Sequence, residues 1–278
     1  MDCIFVANKP LFVSSNKFLN NLKKRDNVKK GGFSGILDPF ACGALIVAYG
    51  QYTRLFSFIN KEPKVYKATL WLGLKSDSLD IENIMGIYDT PKLSEARVQE
   101  VVESFCGEVK FTPPKFSAKK IEGKKAYELA RAGEEVRLKE EVMKIFKIEF
   151  LGYNHPFVSF RVWVSAGSYI RSLGEMIAQK LGTFGALSYL ERESEGGFKY
   201  EGQKHLNPLE ILPFCKINAR DLENGELYSK MINGKKLEAK ELKIYKEGEY
   251  IVYFDEFFSI ISYKNHAITY LLNRIPLC

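Results

Sequence analysis

An α+β fold with a largely antiparallel sheet follows from three features of the sequence. Apolar residues alternate with period two over 66–74, 142–151 and 158–164, the pattern of half-buried strands. Helical stripes recur between them. Strands and helices are mixed without a repeating βα unit, which argues against an all-parallel sheet wrapped by helices.

The elements can be justified in order. Ser14-Ser15 can cap a helix through Phe18, Leu19 and Leu22, because a serine hydroxyl satisfies the unpaired N–H groups of a first turn. Lys23, Lys24 and Arg25 follow, then Lys29 and Lys30. The apolar run 44–49 reads as a buried strand or helix segment at the edge of a core. Tyr66, Ala68, Leu70, Leu72 and Leu74 share one face of a strand. Ser94 starts a helix with Val98, Val101, Val102 and Phe105 on one side, closed by Gly107. The runs 142–151 and 158–164 are further strands. Ile170, Leu173, Ile177 and Leu181 form the stripe of a second helix, with Gly182 as its C-cap. Composition changes after about residue 207, where 250–254, 257–263 and 267–272 read as three short strands with polar turns. The expected division is a domain over 1–210, with an insertion at about 110–140, and a small β-rich module over 211–278. A module of that size needs to dock on its neighbour to be stable.

An apolar share of 46%, with 13% aromatics, is enough for a real core and excludes a disordered chain. The 41 basic residues outnumber the 34 acidic ones, a net charge of +7 that is compatible with a polyanionic partner without requiring one. Cys3, Cys42, Cys106, Cys215 and Cys278 are scattered and never form a CxxC pair, which suits a reducing cytosol better than a disulfide framework or zinc site. His155, His205 and His266 stand far apart, a poor basis for imidazole catalysis or a metal centre. The opening residues lack the pattern of a signal peptide, and no run approaches the roughly 18 apolar residues of a membrane span. A cytoplasmic protein is expected. No P-loop, dinucleotide or zinc motif is present, so neither cofactor nor metal is expected. Nothing implies a protein partner, and a monomer is the expected state.

Two segments carry candidate chemistry. Asp38 lies between Leu37 and Pro39, with Gly35 and Gly43 close on either side. Glycine permits close approach of a backbone or ligand, and Pro39 biases Asp38 toward an extended conformation. Residue type alone favours a turn aspartate bonding its own backbone; the alternative is a carboxylate presented at the edge of a core. The second segment places Lys115, Lys119, Lys120, Lys124 and Lys125 within eleven residues, interleaved with Phe116 and followed by Tyr127. That composition suits a loop contacting nucleic acid, or an exposed loop with no ligand.

Four blocks in register resemble the TruB family of tRNA pseudouridine-55 synthases over residues 9–198. Lys9-Pro10 with Ser14-Ser15 is similar to the family's opening block, and Gly32-Phe33-Ser34-Gly35-Ile36-Leu37-Asp38-Pro39 to its Gly-His-x-Gly-Thr-Leu-Asp-Pro signature. Lys64-Val65-Tyr66-Lys67, Leu72-Gly73 and Ser76-Asp77-Ser78-Leu79-Asp80 resemble a third block, and Ser165-Ala166-Gly167-Ser168-Tyr169-Ile170-Arg171-Ser172-Leu173 a fourth. The segment 113–136 resembles the family's substrate-clamping insertion. Met231-Ile232-Asn233-Gly234-Lys235 is faintly similar to a strand-turn of PUA RNA-binding domains. Departures are Phe33 in place of His, Ile36 in place of Thr or Ala, Phe12 at a usual Gly position, and Gly86 three residues late after the acidic block.

The resemblance implies the pseudouridine synthase fold and a cofactor-free isomerisation of a uridine in the T loop of tRNA, position 55, after the base is flipped out. It assigns Asp38 as the catalytic carboxylate, Arg171 as its counter-ion, and Tyr66 as the ring against the extruded base and a participant in proton transfer. Arg171 can hold a carboxylate bidentately. Phe33, where a ring can stack on a base, joins Tyr66, Tyr169 and Leu190 as substrate contacts. Lys23, Lys24, Lys29, Lys30, Lys115, Lys119, Lys120, Lys124 and Lys125 are expected to hold phosphates of the T stem-loop, and the C-terminal module to reach the acceptor arm. Two rival readings are an RNA-binding protein on the same scaffold, and a hydrolase pairing Asp38 with Asp77 or Asp80 across a substrate.

Overall fold

The computed structural model describes residues 1–121, 123–134, 136, 138–222 and 225–277. Strand β1 (Cys3–Lys9) leads into helix α1 (Ser15–Arg25), capped by Ser14, whose hydroxyl accepts from the Lys17 N–H at 3.2 Å. The short β2 (Gly31–Phe33), the loop holding Asp38, and the buried β3 (Cys42–Tyr49) follow. Strand β4 (Lys64–Leu72) alternates between buried and open faces as its sequence requires. A hairpin, β5 (Leu74–Ser76) and β6 (Ile84–Ile87), precedes α2 (Glu95–Glu103), capped by Ser94. Strand β7 (Gly107–Phe111) opens the insertion, which contains the small ladder β8 (Lys120–Ile121) and β9 (Lys124–Lys125) and helix α3 (Ala126–Arg131). Residues 122, 135 and 137 of the expected insertion lie outside the described residues, as do 223, 224 and 278 of the C-terminal module.

Strands β10 (Glu141–Asn154) and β11 (Phe157–Val164), helix α4 (Ile170–Lys180), β12 (Gly185–Glu195) and β13 (Phe198–Lys199) complete the main body. Its sheet runs β1-β3-β12-β4-β11-β10-β7, with β2 on β3 and β13 on β12. The pairings are antiparallel except β3 with β12, which meet in parallel at Glu191 and Cys42. Gly43 makes this contact possible. Its φ is +107°, and a Cβ there would strike the backbone of Arg192. On one face Tyr66, Ala68, Leu70 and Leu72 pack with Phe160 and Val162 beneath Val98, Val101 and Val102 of α2 and Leu173 and Ile177 of α4. Burying such aliphatic side chains, at roughly 1.5–3 kcal/mol each, fixes α4 and with it the position of Arg171.

The C-terminal sheet is β14 (Cys215–Asn218), β15 (Gly248–Tyr253), β16 (Phe257–Lys264) and β17 (Ala267–Pro276), in that order. Ile251, Phe258, Ile260, Leu272 and Ile275 share a core with Ile4, Val6, Ala44, Ile46 and Ala48. That shared core supplies the docking such a small sheet needs. On its other side Val252 and Ile261 cover Leu227 and Met231 of a helix spanning Gly225–Ile232. The expected strand-turn at 231–235 is therefore corrected: Met231 and Ile232 end a helix, with Gly234 at φ +62° following it. Met231 is a buried helix-face residue, and one apolar pair cannot separate a strand from a helix end.

Phe12 has φ +59° and is 66% exposed. A left-handed backbone costs an L-residue about 1–2 kcal/mol, and the exposed ring offsets little of this by burial. Phe12→Gly is expected to stabilise the fold by about 1 kcal/mol in urea unfolding; a loss of stability would show that the ring is held by packing.

Candidate active site

Asp38 is placed by contacts to its neighbours in the loop. Ser15, the first residue of α1, accepts from the Leu37 N–H at 3.0 Å and donates to the Leu37 carbonyl at 2.9 Å. Lys9, wholly buried, donates to the carbonyls of Pro10 at 2.9 Å, Val13 at 2.6 Å and Pro39 at 3.3 Å. Both sides of Asp38 are thus tied to the N-terminal segment. Burial lowers the Lys9 ammonium to a pKa of about 8, against the opposing pull of the Asp38 carboxylate.

A second cluster lies under the same loop. Arg192 donates from Nε to the Ala44 carbonyl at 2.8 Å and from Nη2 to that of Gly35 at 3.1 Å. Glu195 accepts from the Ser34 hydroxyl at 2.9 Å, and its carboxylate lies 3.3 Å from Lys64 Nζ and 3.5 Å from Arg192 Nη2. Gly35, at φ +60°, lies over this cluster, where a Cβ would come within 2.9 Å of Lys64 Nζ and of Glu195 Oε1.

The Asp38 carboxylate is 2.9 Å from Arg171 Nε. The Arg171 side chain is 3% exposed and that of Asp38 30%, so the cation is buried while the anion faces an opening. The expected bidentate grip is corrected to a single contact, because the rest of the guanidinium is engaged elsewhere. Nη1 donates to the Ser78 carbonyl at 2.6 Å and lies 3.4 Å from Asp80; Nη2 donates to the Phe116 carbonyl at 3.0 Å. Asp80 accepts from the Ser78 hydroxyl at 2.6 Å and the Glu82 N–H at 2.9 Å. Burial raises the Asp80 pKa despite the opposing charge of Arg171. The guanidinium stands between the two carboxylates, so Asp38 and Asp80 do not face one another across a substrate. Asp77 is exposed and lines another cavity, with Lys115. The paired-carboxylate hydrolase reading fails on this geometry.

The opening is a cavity of about 220 Å³ lined by Asp38, Tyr66, Tyr169, Arg171 and Leu190, with Lys64 and Lys119 at its wall. Tyr66 and Leu190 project from paired strands β4 and β12 and are 7% and 4% exposed. Tyr169 caps α4 and lies 6.0 Å from the Phe111 ring; burial raises its pKa. Ala118 and Lys119 bring the insertion to the cavity, held by the Arg171–Phe116 bond and by Ser172 donating to the Thr112 carbonyl at 2.8 Å.

Not every predicted residue arrives there. Phe33 packs, half-buried, against the cluster of Cys3, Leu19, Leu22 and Val47 and does not line the cavity, because its strand β2 pairs with the far half of β3. Lys119 pairs with Glu141 at 2.7 Å, while Lys115, Lys120 and Lys124 are exposed. Lys125 is half-buried and its ammonium lies over the Tyr127 ring. Lys23, Lys24, Lys29 and Lys30 lie elsewhere. Lys23 and Lys24 are eight and nine residues beyond Ser15 on α1, about 12 Å along its axis. Lys30 is bonded through its carbonyl to Gly50, beyond the end of β3 remote from Cys42. Sequence reasoning missed Ser15, Lys64, Arg192 and Glu195 as site residues. The signal for Lys64 was its position two residues before Tyr66, on the same face of a strand.

A loop on a mixed sheet presents a carboxylate to a cavity beside a buried arginine. The family model described as TruB family pseudouridylate synthase (N terminal domain) matches residues 23–170. This chain belongs to that family. It is 50% identical over 278 residues to tRNA pseudouridine synthase B of a Nitratiruptor species, covering 99% of this chain and 98% of the relative. The corresponding enzyme of Campylobacter curvus is 46% identical over the full length of both chains. Among solved structures, a Cbf5-Nop10-Gar1 complex contains a chain with a TM-score of 0.66 at 22% identity, covering 99% of this chain and 84% of that one. It shares the fold.

The Lys9 contacts carry a pH dependence. Its pKa is about 8 in the folded state against 10.5 as the ordinary value, so between those limits the unfolded chain binds more protons and stability rises with pH. The stability of the native chain relative to Lys9→Met should therefore grow between pH 8 and pH 10 in urea unfolding. A constant difference would contradict the burial of Lys9.

Proposed function

We propose that this protein isomerises a uridine of tRNA to pseudouridine, at position 55 of the T loop, with Asp38 as the reacting carboxylate. The observation that carries the reading is Asp38 itself, open to a small cavity and ion-paired with a buried arginine in a chain of the TruB family. The reaction breaks the N1–C1′ bond, turns the base and forms C5–C1′, after which C5 loses a proton and N1 gains one. It needs one ionised carboxylate near the sugar, as nucleophile or proton acceptor. A cavity of about 220 Å³ suits a single base with part of its sugar, being smaller than the roughly 300–1,000 Å³ of drug-sized sites. The base must therefore leave its stack, at a cost of a few kcal/mol that is lower in a loop than in a duplex. Tyr66 and Leu190 wall the flipped base, and Tyr66 is placed to assist the closing proton transfer. Tyr169 lines the same wall.

Lys115, Lys120 and Lys124, exposed on the insertion beside the cavity, supply phosphate contacts to the T stem-loop. Lys23, Lys24, Lys29 and Lys30 would meet RNA only beyond that loop. Lys235, Lys236, Lys243 and Lys246, all exposed on the C-terminal module, are the contacts we assign to the acceptor arm.

With tRNA transcripts tritiated at uracil C5, the native chain should release tritium and Asp38→Asn should not exceed the no-enzyme control. A transcript with cytidine at position 55 should release none above that control; undiminished release would move the target elsewhere. No release by the native chain would leave an RNA-binding protein on this scaffold. Replacing Lys115, Lys120 and Lys124 by Gln should weaken tRNA binding and flatten its slope of log affinity against log salt by about 2–3. An unchanged slope removes these lysines from the interface.

A further inference from the structure

We propose that Lys64 is a catalytic residue of this isomerisation, donating from Nζ to a carbonyl oxygen of the uracil while the base is detached and anionic. This rests on the isomerase reading given above.

When the N1–C1′ bond breaks, its electron pair stays with the base, and the charge spreads over N1, O2 and O4. It persists until C5 attacks C1′. The proton then lost from C5 and the one gained at N1 balance, and no outside reactant is required. During that interval an anion must occupy a cavity whose reacting wall is already rich in carboxylate. Asp38 and Asp80 share one guanidinium, Arg171, with Glu82 a further carboxylate nearby; Lys9 also faces Asp38 but gives its hydrogens to the carbonyls of Pro10, Val13 and Pro39. That guanidinium is spent on Asp38, Asp80 and the carbonyls of Ser78 and Phe116. A detached uracil would find little positive charge left there.

The neighbouring cluster has the opposite balance. Arg192 and Lys64 are two cations against the single carboxylate of Glu195. Arg192 is wholly buried and turned to the backbone of Ala44 and Gly35. The surplus charge therefore reaches the cavity through Lys64, which lines it on the same strand face as Tyr66. The Lys64 side chain is 14% exposed, and among the described residues its one ion pair is to Glu195 at 3.3 Å. An ammonium has three donors, so hydrogens remain for a substrate oxygen. Lys119, also at the cavity wall, is closely paired with Glu141 and 36% exposed, where water screens it. A fixed donor in a water-poor site needs no reorganisation as charge develops, and losing one such donor costs about 10²–10³ in rate.

The test is Lys64→Met, with tritium release measured against tRNA concentration. Glu195 keeps Arg192 and Ser34 as partners in this variant, which favours a retained fold. We expect kcat to fall about 10²-fold with KM and tRNA affinity changed less than about threefold, and Lys64→Arg to recover part of the loss. A transcript carrying 5-fluorouridine at position 55 separates chemistry from structure, because fluorine stabilises the departing base. Consumption of its N-glycoside, read by chromatography of nuclease digests, should show a deficit for Lys64→Met at least tenfold smaller than on the ordinary substrate. An unchanged kcat, or the same deficit on both substrates, overturns the proposal. Absence of tritium release by the native chain would instead overturn the isomerase reading.

Discussion

The site depends on a single guanidinium buried between two carboxylates. An isolated charge in such a position is strongly disfavoured, and removing a partner from a buried pair costs about 3–5 kcal/mol. Arg171 is tolerated because each nitrogen has a carboxylate or carbonyl within reach. Those partners come from three parts of the chain: the loop holding Asp38, the turn holding Ser78 and Asp80, and the insertion at Phe116. The arginine therefore organises the cavity as well as balancing Asp38. Its own position follows from the apolar face of α4, since Leu173 and Ile177 seat the helix on the sheet.

Orientation of the carboxylate is a separate problem from its charge. One contact to Nε leaves Asp38 free to turn, so its direction is set by the backbone on either side. Ser15 grips Leu37, Lys9 grips Pro39, and Arg192 grips Gly35. These are hydrogen bonds to carbonyls, in two of the three cases from buried cations, stronger than neutral bonds and costly to leave unmade. The backbone on either side of Asp38 is held by these bonds, while its side chain remains 30% exposed. Under the role proposed for Asp38, such preorganisation would set its carboxylate before a substrate arrives.

Much of this architecture was legible in residues that act locally. Ser14 and Ser94 cap helices, and the stripe Ile170, Leu173, Ile177 marks α4, because caps and periodicity depend on neighbours a few residues away. Residues 66–72 alternate because one sheet face is buried. Strand β12 was not recognised as one. Its inward positions include Arg192, Ser194 and Glu195, so buried charges break the apolar alternation. The resemblance to a family brought Asp38, Tyr66, Tyr169, Arg171 and Leu190 together in expectation, and the structure sets all five around one cavity. It misplaced Phe33, since alignment with a family histidine says nothing of which way β2 turns its ring. Ion pairs such as Lys64 with Glu195 were invisible because they join strands far apart in sequence.

The two charge clusters have complementary deficits, and this follows from where the sheet changes direction. At the parallel junction of β3 and β12, Gly43 lets the strands approach closely enough for Arg192 to reach under the loop holding Asp38. Beside it, β4 carries Lys64 and then Tyr66 into the cavity. From the other side α4 delivers Arg171, which meets Asp38 of the loop and Asp80 of the preceding turn. The loop holding Asp38 thus lies between a cluster with one cation in excess and a cluster with one anion in excess. In the isomerisation proposed above, negative charge would pass onto a base and back, a course that calls for both signs at fixed places. Buried charges can hold those places where flexible surface side chains could not, and their desolvation is the cost of that fixity.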